Sequence, residues 1–383
     1  MKKINILHLA SFNGNVGNNF NHFGFRPWFE KTLKKKVTWK ELEIRQFYWK
    51  KIKWDMNFVN LVNSHDLLVI GGGNYFELWV KDSPTGTSIS IPLKLFKKIK
   101  IPIYFNSLGV DIGMGISNLS KKRFITFIEL ILSNDQYILS VRNDGSKKNL
   151  KMILNNNLYK KIHMCPDHGF FIKRKSKKEK RTENKSIAIN LACDMPKIRF
   201  KNFGSEKNKL NNFSEEMALF ICKICKKYSD LKIILVPHIF SDLLIYNKIL
   251  KFLPDNLRRT KIRVGEFGSG IDAANKVINY YLDADLVLGM RFHSNVTPIG
   301  LNKETIGLKN YPQIENLYYE VGQHQRILDV SKPRFHKKVF NKVNQIFSKN
   351  NRINKKPKDA FLKVNKQRND FSKFLNSWLK KFF

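Results

Sequence analysis

Acidic residues are scarce in this chain. Asp and Glu number 31 against 70 Lys and Arg in 383 residues, a formal net charge of +39. That excludes an acidic solvating tail and favours anionic partners: phosphates, nucleic acid or an anionic membrane surface. Heavy use of Lys, Asn, Ile and Phe, all with AT-rich codons, is a second source of the same bias. Cysteine is scarce too. Cys165, Cys193, Cys222 and Cys225 are too few for a disulfide framework. Cys222 and Cys225 form a C-x-x-C within a helical run at 215–227. No second pair completes a zinc site, so they read as two small helix residues in a reducing cytosol. Long apolar runs are missing, and none approaches the ~20 residues of a membrane span. The N-terminal run 4–10 is short, contains His8 and flows into a Gly/Asn-rich turn, unlike a signal peptide. The expected location is cytoplasmic, with a peripheral contact at the inner face of the membrane as the alternative.

What is present is a globular composition, 42% apolar and 13% aromatic, at a length of about two to three domains. Short, almost wholly apolar runs at 4–10, 66–70, 101–106 and 137–141, with a weaker one at 40–47, read as strands. Helical stretches such as 121–132 fall between them. That alternation predicts a parallel sheet covered on both faces. A segment at 173–185 holds eight basic and two acidic residues and no apolar period, as a solvated linker would. The pattern then restarts, with strands at 186–191, 232–237, 261–264 and 285–288 and helices at 215–227 and 273–282. The expected organisation is an N-terminal α/β domain (1–172), a basic linker (173–185), a C-terminal α/β domain (186–330) and a basic tail (331–383). The tail carries 16 basic and two acidic residues. Its end has a helical apolar face of Phe371, Phe374, Leu375, Trp378, Leu379, Phe382 and Phe383. That face suits docking on the N-terminal domain or lying on an anionic membrane beside a lipid-linked acceptor.

In open α/β sheets, ligands bind beyond the carboxyl ends of the strands. The candidates are therefore the segment 13–18 with Asn15, Gly17 and Asn18; Gly71, Gly72, Gly73 and Asn74; Ser107-Leu108-Gly109; Arg142; His238; and the segment 289–294 with Arg291, His293 and Ser294. Glycine loops can admit an anion to backbone N–H groups, or can serve only as tight turns needing positive φ. Arg291 and His293 lie two residues apart after the run 285–288. They suit an anion fork beside a general acid, or equally an arginine paired with an acid and a histidine capping the next helix. No Asp/Glu/His cluster suggests a metal.

The ordered series of motifs resembles the polysaccharide pyruvyl transferase family. It comprises Asn15-Val16-Gly17-Asn18, LVIGGGN at 68–74, Leu108 to Gly113, and Ser140-Val141-Arg142-Asn143-Asp144. It continues with Pro166-Asp167, Pro237-His238 with Asp242, ADLVLGMRFH at 284–293, and the run ending at Tyr311. Many family members carry Asp where this chain has Asn18, and Lys where it has Ile314. The resemblance implies two doubly wound parallel-sheet domains facing a cleft, as in B-type glycosyltransferases. It implies phosphoenolpyruvate as donor substrate, no other cofactor, and a sugar, glycan or lipid-linked sugar as acceptor, with pyruvate attached as a ketal in polysaccharide biosynthesis. Arg142 and Arg291 would clamp the donor and His293 would be the acid. Asn15, Gly17, Asn18, Gly72, Gly73, Asn74, His238, Ser294 and Tyr311 would bind donor or acceptor. The alternatives are a nucleotide-sugar-dependent glycosyltransferase of the same fold and, in another class, a basic nucleic-acid-binding protein. The second lacks any helix-turn-helix, zinc-finger, RNP or KH pattern.

Overall fold

The structure is a computed structural model, and it describes residues 3–174, 185–348 and 356–383. The chain divides into two compact units. Unit 1 comprises residues 1–13, 21–168 and 363–383; unit 2 comprises 14–20 and 169–362. Most of the expected linker, residues 175–184, lies outside the described residues.

Unit 1 holds eight strands: β1 (Ile4–Ala10), β2 (Val37–Glu43), β3 (Leu67–Gly71), β4 (Phe76–Glu77), β5 (Ile103–Leu108), β6 (Val110–Asp111), β7 (Tyr137–Val141) and β8 (His163–Met164). Six form one sheet in the order β2-β1-β3-β5-β7-β8, and every adjacent pair is parallel. Strand side chains alternate between faces, and the core follows that period. Leu7, Leu9, Leu68, Ile70, Ile103, Phe105 and Leu139 pack on one face with Phe124, Phe127, Ile128 and Ile131. The last four come from the helix Asn118–Leu132. Ile4, Ile6, Leu67, Val69, Tyr104 and Ile138 pack on the other face with Phe25 and Phe29. The expected strand at 40–47 sits earlier, at Val37–Glu43, and Phe47 instead belongs to the short helix Arg45–Tyr48. As the edge strand, β2 has several exposed residues, so its apolar period is weak.

The tail divides. The helix Phe335–Phe347 buries Val339 and Val343 in the core of unit 2. In the helix Pro357–Leu379, the residues Phe371, Leu375, Trp378 and Leu379 lie in the second core of unit 1, with Phe25, Phe29 and Tyr104. Burying each such side chain contributes about 1.5–3 kcal/mol. The membrane alternative loses its apolar face to this docking, and the indole of Trp378 also donates to Asp135 O at 3.0 Å. Among the described residues no helix is long and apolar enough to cross a membrane.

Unit 2 holds β9 (Ser186–Asn190), β10 (Lys232–Leu235), β11 (Ile262–Val264), β12 (Leu286–Gly289), β13 (Glu304–Lys309) and β14 (Ile327–Asp329). They form an all-parallel sheet in the order β11-β10-β9-β12-β13-β14. Both sheets are thus doubly wound. Strand order reverses beside β1 in the first, between β1 and β3, and beside β9 in the second, between β9 and β12. These switch points are where such sheets open to ligands.

Candidate active site

In unit 2 the switch point is built from the ends of β9 and β12, which are in register at Asn190 and Gly289. The amide of Arg291 donates to Asn190 Oδ1 at 3.1 Å. It also meets the hydroxyl of Ser294, which donates in turn to Arg291 O at 2.8 Å. Ser294 therefore closes the turn that aims Arg291. The guanidinium is held from one side. Its Nε donates to Asp242 Oδ2 at 2.9 Å, and its Nη2 donates to Asp194 Oδ1 at 2.7 Å and to Asp242 Oδ1. Its Nη1 makes no hydrogen bond among the described residues. Burial opposes the charge on Arg291, but Asp242 and Asp194 outweigh it and raise the pKa above the ordinary arginine value.

Asp242 is fully buried, at the first position of the helix Asp242–Phe252. It also accepts the amides of His238 at 2.9 Å and Ile239 at 3.2 Å. The His238 ring shares a 2.6 Å hydrogen bond with the hydroxyl of Tyr281. Burial, with Arg291 and His293 nearby, holds His238 well below the usual histidine range, so it is neutral. His293 opens the helix His293–Gly300 and is buried. The turn at 14–20 belongs to the same unit. Asn15 Oδ1 accepts the Gly17 amide at 2.9 Å and Asn15 O accepts the Asn18 amide at 3.0 Å, starting the helix Val16–Leu33. A Cβ on Gly17 would stand 2.6 Å from His293 Nδ1. Glycine there lets the helix start press against the histidine ring. Phe20 meets both histidines edge-on, at 5.6 Å from His238 and 6.3 Å from His293. The structure thus brings together Asn15, Gly17, Asn18, His238, Arg291, His293 and Ser294.

Two residues of this site escaped the sequence reading. Asp194, after β9, and Arg199 complete it. Arg199 donates to Asp194 Oδ2 at 3.3 Å and to Asn310 Oδ1 at 3.0 Å, and its guanidinium stands 5.2 Å from the Tyr311 ring centre. That contact places Tyr311 beside the network. Burial pulls the Arg199 pKa down, and neighbouring Arg291 adds to this. The signal for Asp194 was available: the carboxyl-end rule applied to β9 points to Cys193-Asp194. Ile314 is buried against the Gly307 backbone, so this position is a core position here.

In unit 1 the ends of β3, β5 and β7 meet. Gly71 and Gly72 have φ of +122° and +87°, the left-handed region that glycine tolerates. Ser107, at the end of β5, takes φ +45°, a strained geometry for a residue with a side chain. Arg142 is buried and fully engaged. Its Nε donates to Asp144 Oδ2 at 2.7 Å, Nη1 to Asp167 Oδ2 at 3.5 Å and Nη2 to Asn74 Oδ1 at 3.4 Å. Burial opposes its charge, but Asp144 and Asp167 raise its pKa above the ordinary value. The donor clamp expected of Arg142 needs a fork open to ligand. Here the structure has all three guanidinium nitrogens on protein acceptors. Gly72, Gly73, Asn74 and Arg142 are grouped in unit 1. Among the described residues no group of three or more His, Cys, Asp or Glu side chains could hold a metal ion.

Two all-parallel, doubly wound sheets with polar clusters at their switch points define a two-unit α/β class. The chain belongs to the polysaccharide pyruvyl transferase family, whose model matches residues 12–311. Among solved structures it is similar to three proteins of the B-type glycosyltransferase and epimerase architecture. One, from Listeria monocytogenes, is described as a candidate UDP-N-acetylglucosamine 2-epimerase (TM-score 0.57, 14% identity, 95% of this chain and 94% of that one). The second is a glycosyltransferase from Rickettsia africae (TM-score 0.54, 11% identity, 100% and 99%). The third is the Anabaena protein HepE, solved with UDP and glucose (TM-score 0.54, 10% identity, 98% and 100%). At these identities the likeness is one of fold. No curated protein matches the chain.

Proposed function

We propose that the protein transfers pyruvyl from phosphoenolpyruvate onto a sugar of a cell-surface polysaccharide or its precursor, as a ketal. The observation that carries this reading is Arg291. Asp242 and Asp194 fix its Nε and Nη2, leaving the Nη1 edge for an anionic donor. His293, two residues on, is the acid that protonates the donor's methylene carbon. Protonation makes the adjacent enol carbon electrophilic, and a nearby guanidinium stabilises the charge of the carboxylate and departing phosphate. Gly17 keeps the His293 ring in place. Arg142 is a positioning residue that orients Asn74. The reading includes no resident cofactor and places the enzyme in the cytoplasm, where phosphoenolpyruvate is made.

The test is incubation with phosphoenolpyruvate and a panel of nucleotide sugars and lipid-linked sugars, reading released phosphate and acceptor mass. A gain of one pyruvyl ketal on an acceptor supports the reading. Hydrolysis or transfer from a UDP-sugar, with phosphoenolpyruvate untouched, would replace it with glycosyl transfer.

A further inference from the structure

The tetrapeptide Lys-Lys-Ile-Lys occurs twice in unit 1, at 50–53 and at 97–100. The two copies sit at opposite edges of one sheet. The first lies in the connection that leaves the carboxyl end of β2, and the second leads into the amino end of β5. All six lysines are exposed. The copies differ in what accompanies them. None of the large apolar side chains at 93–101 is exposed, and Ile99 is buried. At 50–53 the exposed Tyr48 and Trp49 come just before the lysines, and the exposed Met56 just after.

The first copy sits on a braced loop. Phe47 and Trp54 stack with ring centres 3.4 Å apart, and Phe58 meets Trp54 edge-on at 4.9 Å. Gln46 O accepts the amides of Lys51 at 2.9 Å and Ile52 at 3.3 Å. Lys50 takes φ +57°, a left-handed turn that ordinarily selects glycine or asparagine. The loop thus turns one tryptophan inward and leaves the other, Trp49, 55% exposed. Lys51 Nζ stands 5.4 Å from the Trp49 ring centre, so cation and indole share one outer surface.

The local charge is of one sign. Residues 44–54 include four basic residues and no acidic one. The flanking acids are turned to the backbone: Glu43 accepts the amides of Phe12, Asn13 and Arg45, and Asp55 accepts those of Asn57 and Phe58. Apolar exposure follows the same edge of the sheet. Among the described residues of unit 1, seven large apolar side chains are exposed, and five of them, Tyr48, Trp49, Met56, Met114 and Leu119, lie in the connections that follow β2 and β5. The strands are parallel from β2 through β5, so both connections leave by the carboxyl edge.

We infer that the carboxyl edge of unit 1 docks on an anionic lipid surface, with Trp49 seated at headgroup level and Lys50, Lys51 and Lys53 on the lipid phosphates. Indole has an apolar body and a polar N–H, which suits the boundary between headgroups and acyl chains. Lysines beside it gain from the negative surface potential of the membrane. In the sheet β1 and β3 separate β2 from β5, and a plane such as a bilayer meets both connections at once. A single strand of nucleic acid needs successive aromatic platforms along a groove, and the second connection offers Met114 and Leu119 instead of rings. The surface is separate from the last helix, whose apolar face is already docked in unit 1. It stands apart from the pyruvyl reading, because lipid binding is measured with no substrate.

The experiment is co-sedimentation of the full chain with vesicles of phosphatidylethanolamine and phosphatidylglycerol, with phosphatidylcholine vesicles as the neutral control. Wild type should bind the anionic vesicles, ignore the neutral ones and be released by added salt. K50Q/K51Q/K53Q should weaken the partition about 100-fold, roughly fivefold for each lysine. K97Q/K98Q/K100Q removes the same charge from the same tetrapeptide at the other edge, and should weaken it less than about fivefold. W49A should weaken it about tenfold. The indole emission of wild type should shift to the blue on the vesicles, and that shift should be absent in W49F, which also serves if W49A does not fold. Equal losses in the two lysine triples, or a blue shift that persists in W49F, overturn the inference. So does a full chain that ignores anionic vesicles, and one that instead binds a single-stranded oligonucleotide through Trp49 assigns the surface to nucleic acid.

Discussion

Arg142 and Arg291 both follow buried strands at the carboxyl end of a parallel sheet, yet they are held differently. Arg142 is enclosed by Asp144, Asp167 and Asn74, one for each guanidinium nitrogen. Arg291 is gripped along one edge by Asp242 and Asp194. An arginine surrounded on every side is an internal brace for its loops. One pinned along a single edge is oriented and still has donors to offer a ligand. The same residue type, at the same place in the same kind of fold, is therefore bonded on every guanidinium nitrogen in one unit and along one edge in the other.

The sharpest way to break this comparison is to remove each fork in turn. Arg142→Met leaves Asp144 and Asp167 without their buried partner and should cost about 3–5 kcal/mol of stability, read by urea unfolding. Arg291→Lys keeps a charge near Asp242 but loses the planar fork. It should lower kcat/KM for phosphoenolpyruvate far more than it lowers the melting temperature. Equal losses of stability in the two variants would erase the distinction.

His293→Ala tests the chemistry assigned to the open side. Turnover should drop about 10²–10⁴-fold while donor affinity, measured by calorimetry, stays near wild type. A variant with normal turnover at saturating donor removes His293 from the mechanism.

The third test contrasts the docked and exposed sides of the last helix. Trp378 is buried in the second core of unit 1, whereas Phe374 is 45% exposed. Trp378→Ala should cost about 3–5 kcal/mol, and Phe374→Ala about 1 kcal/mol or less. Similar melting temperatures for the two would mean that the helix does not dock as described.

The smallest effect expected per unit of perturbation is with pH. Burial, followed by the nearby charge of Arg368, pushes His168 in unit 1 down to about 3. Its folded value lies below the ordinary 6.5, so the unfolded chain binds the proton first. The stability is present above about pH 6.5 and is lost as pH falls from there through the folded value, at roughly 1.4 kcal/mol per pH unit. Urea titrations at pH 7 and pH 5 should show that slope in wild type and a shallower one in His168→Asn. An unchanged slope would assign the acid sensitivity to other groups.

The chain itself determined much of this. Runs such as LLVIG and YILSV are too uniformly apolar and too short for anything but strands buried on both faces. Their polar ends at Gly72, Arg142 and Arg291 marked the carboxyl edge of each sheet, where ligand sites are expected. A local pattern reports burial and direction, but it cannot report which distant group a side chain will meet. Only the tertiary structure decided that all of Arg142 is bonded while one edge of Arg291 is not. It brought Asp194 and Arg199 to Arg291 across more than ninety residues of sequence, and it set Glu77 opposite Asp111 through a ladder of two residues per strand. It also decided the fate of the last helix. The period 371–383 specified an apolar face but not its partner, and the sheet face bearing Ile4, Ile6 and Tyr104 supplied one. Hydrophobic burial is non-directional, so partner choice rests on the shape and position of surfaces that exist only once the chain has folded.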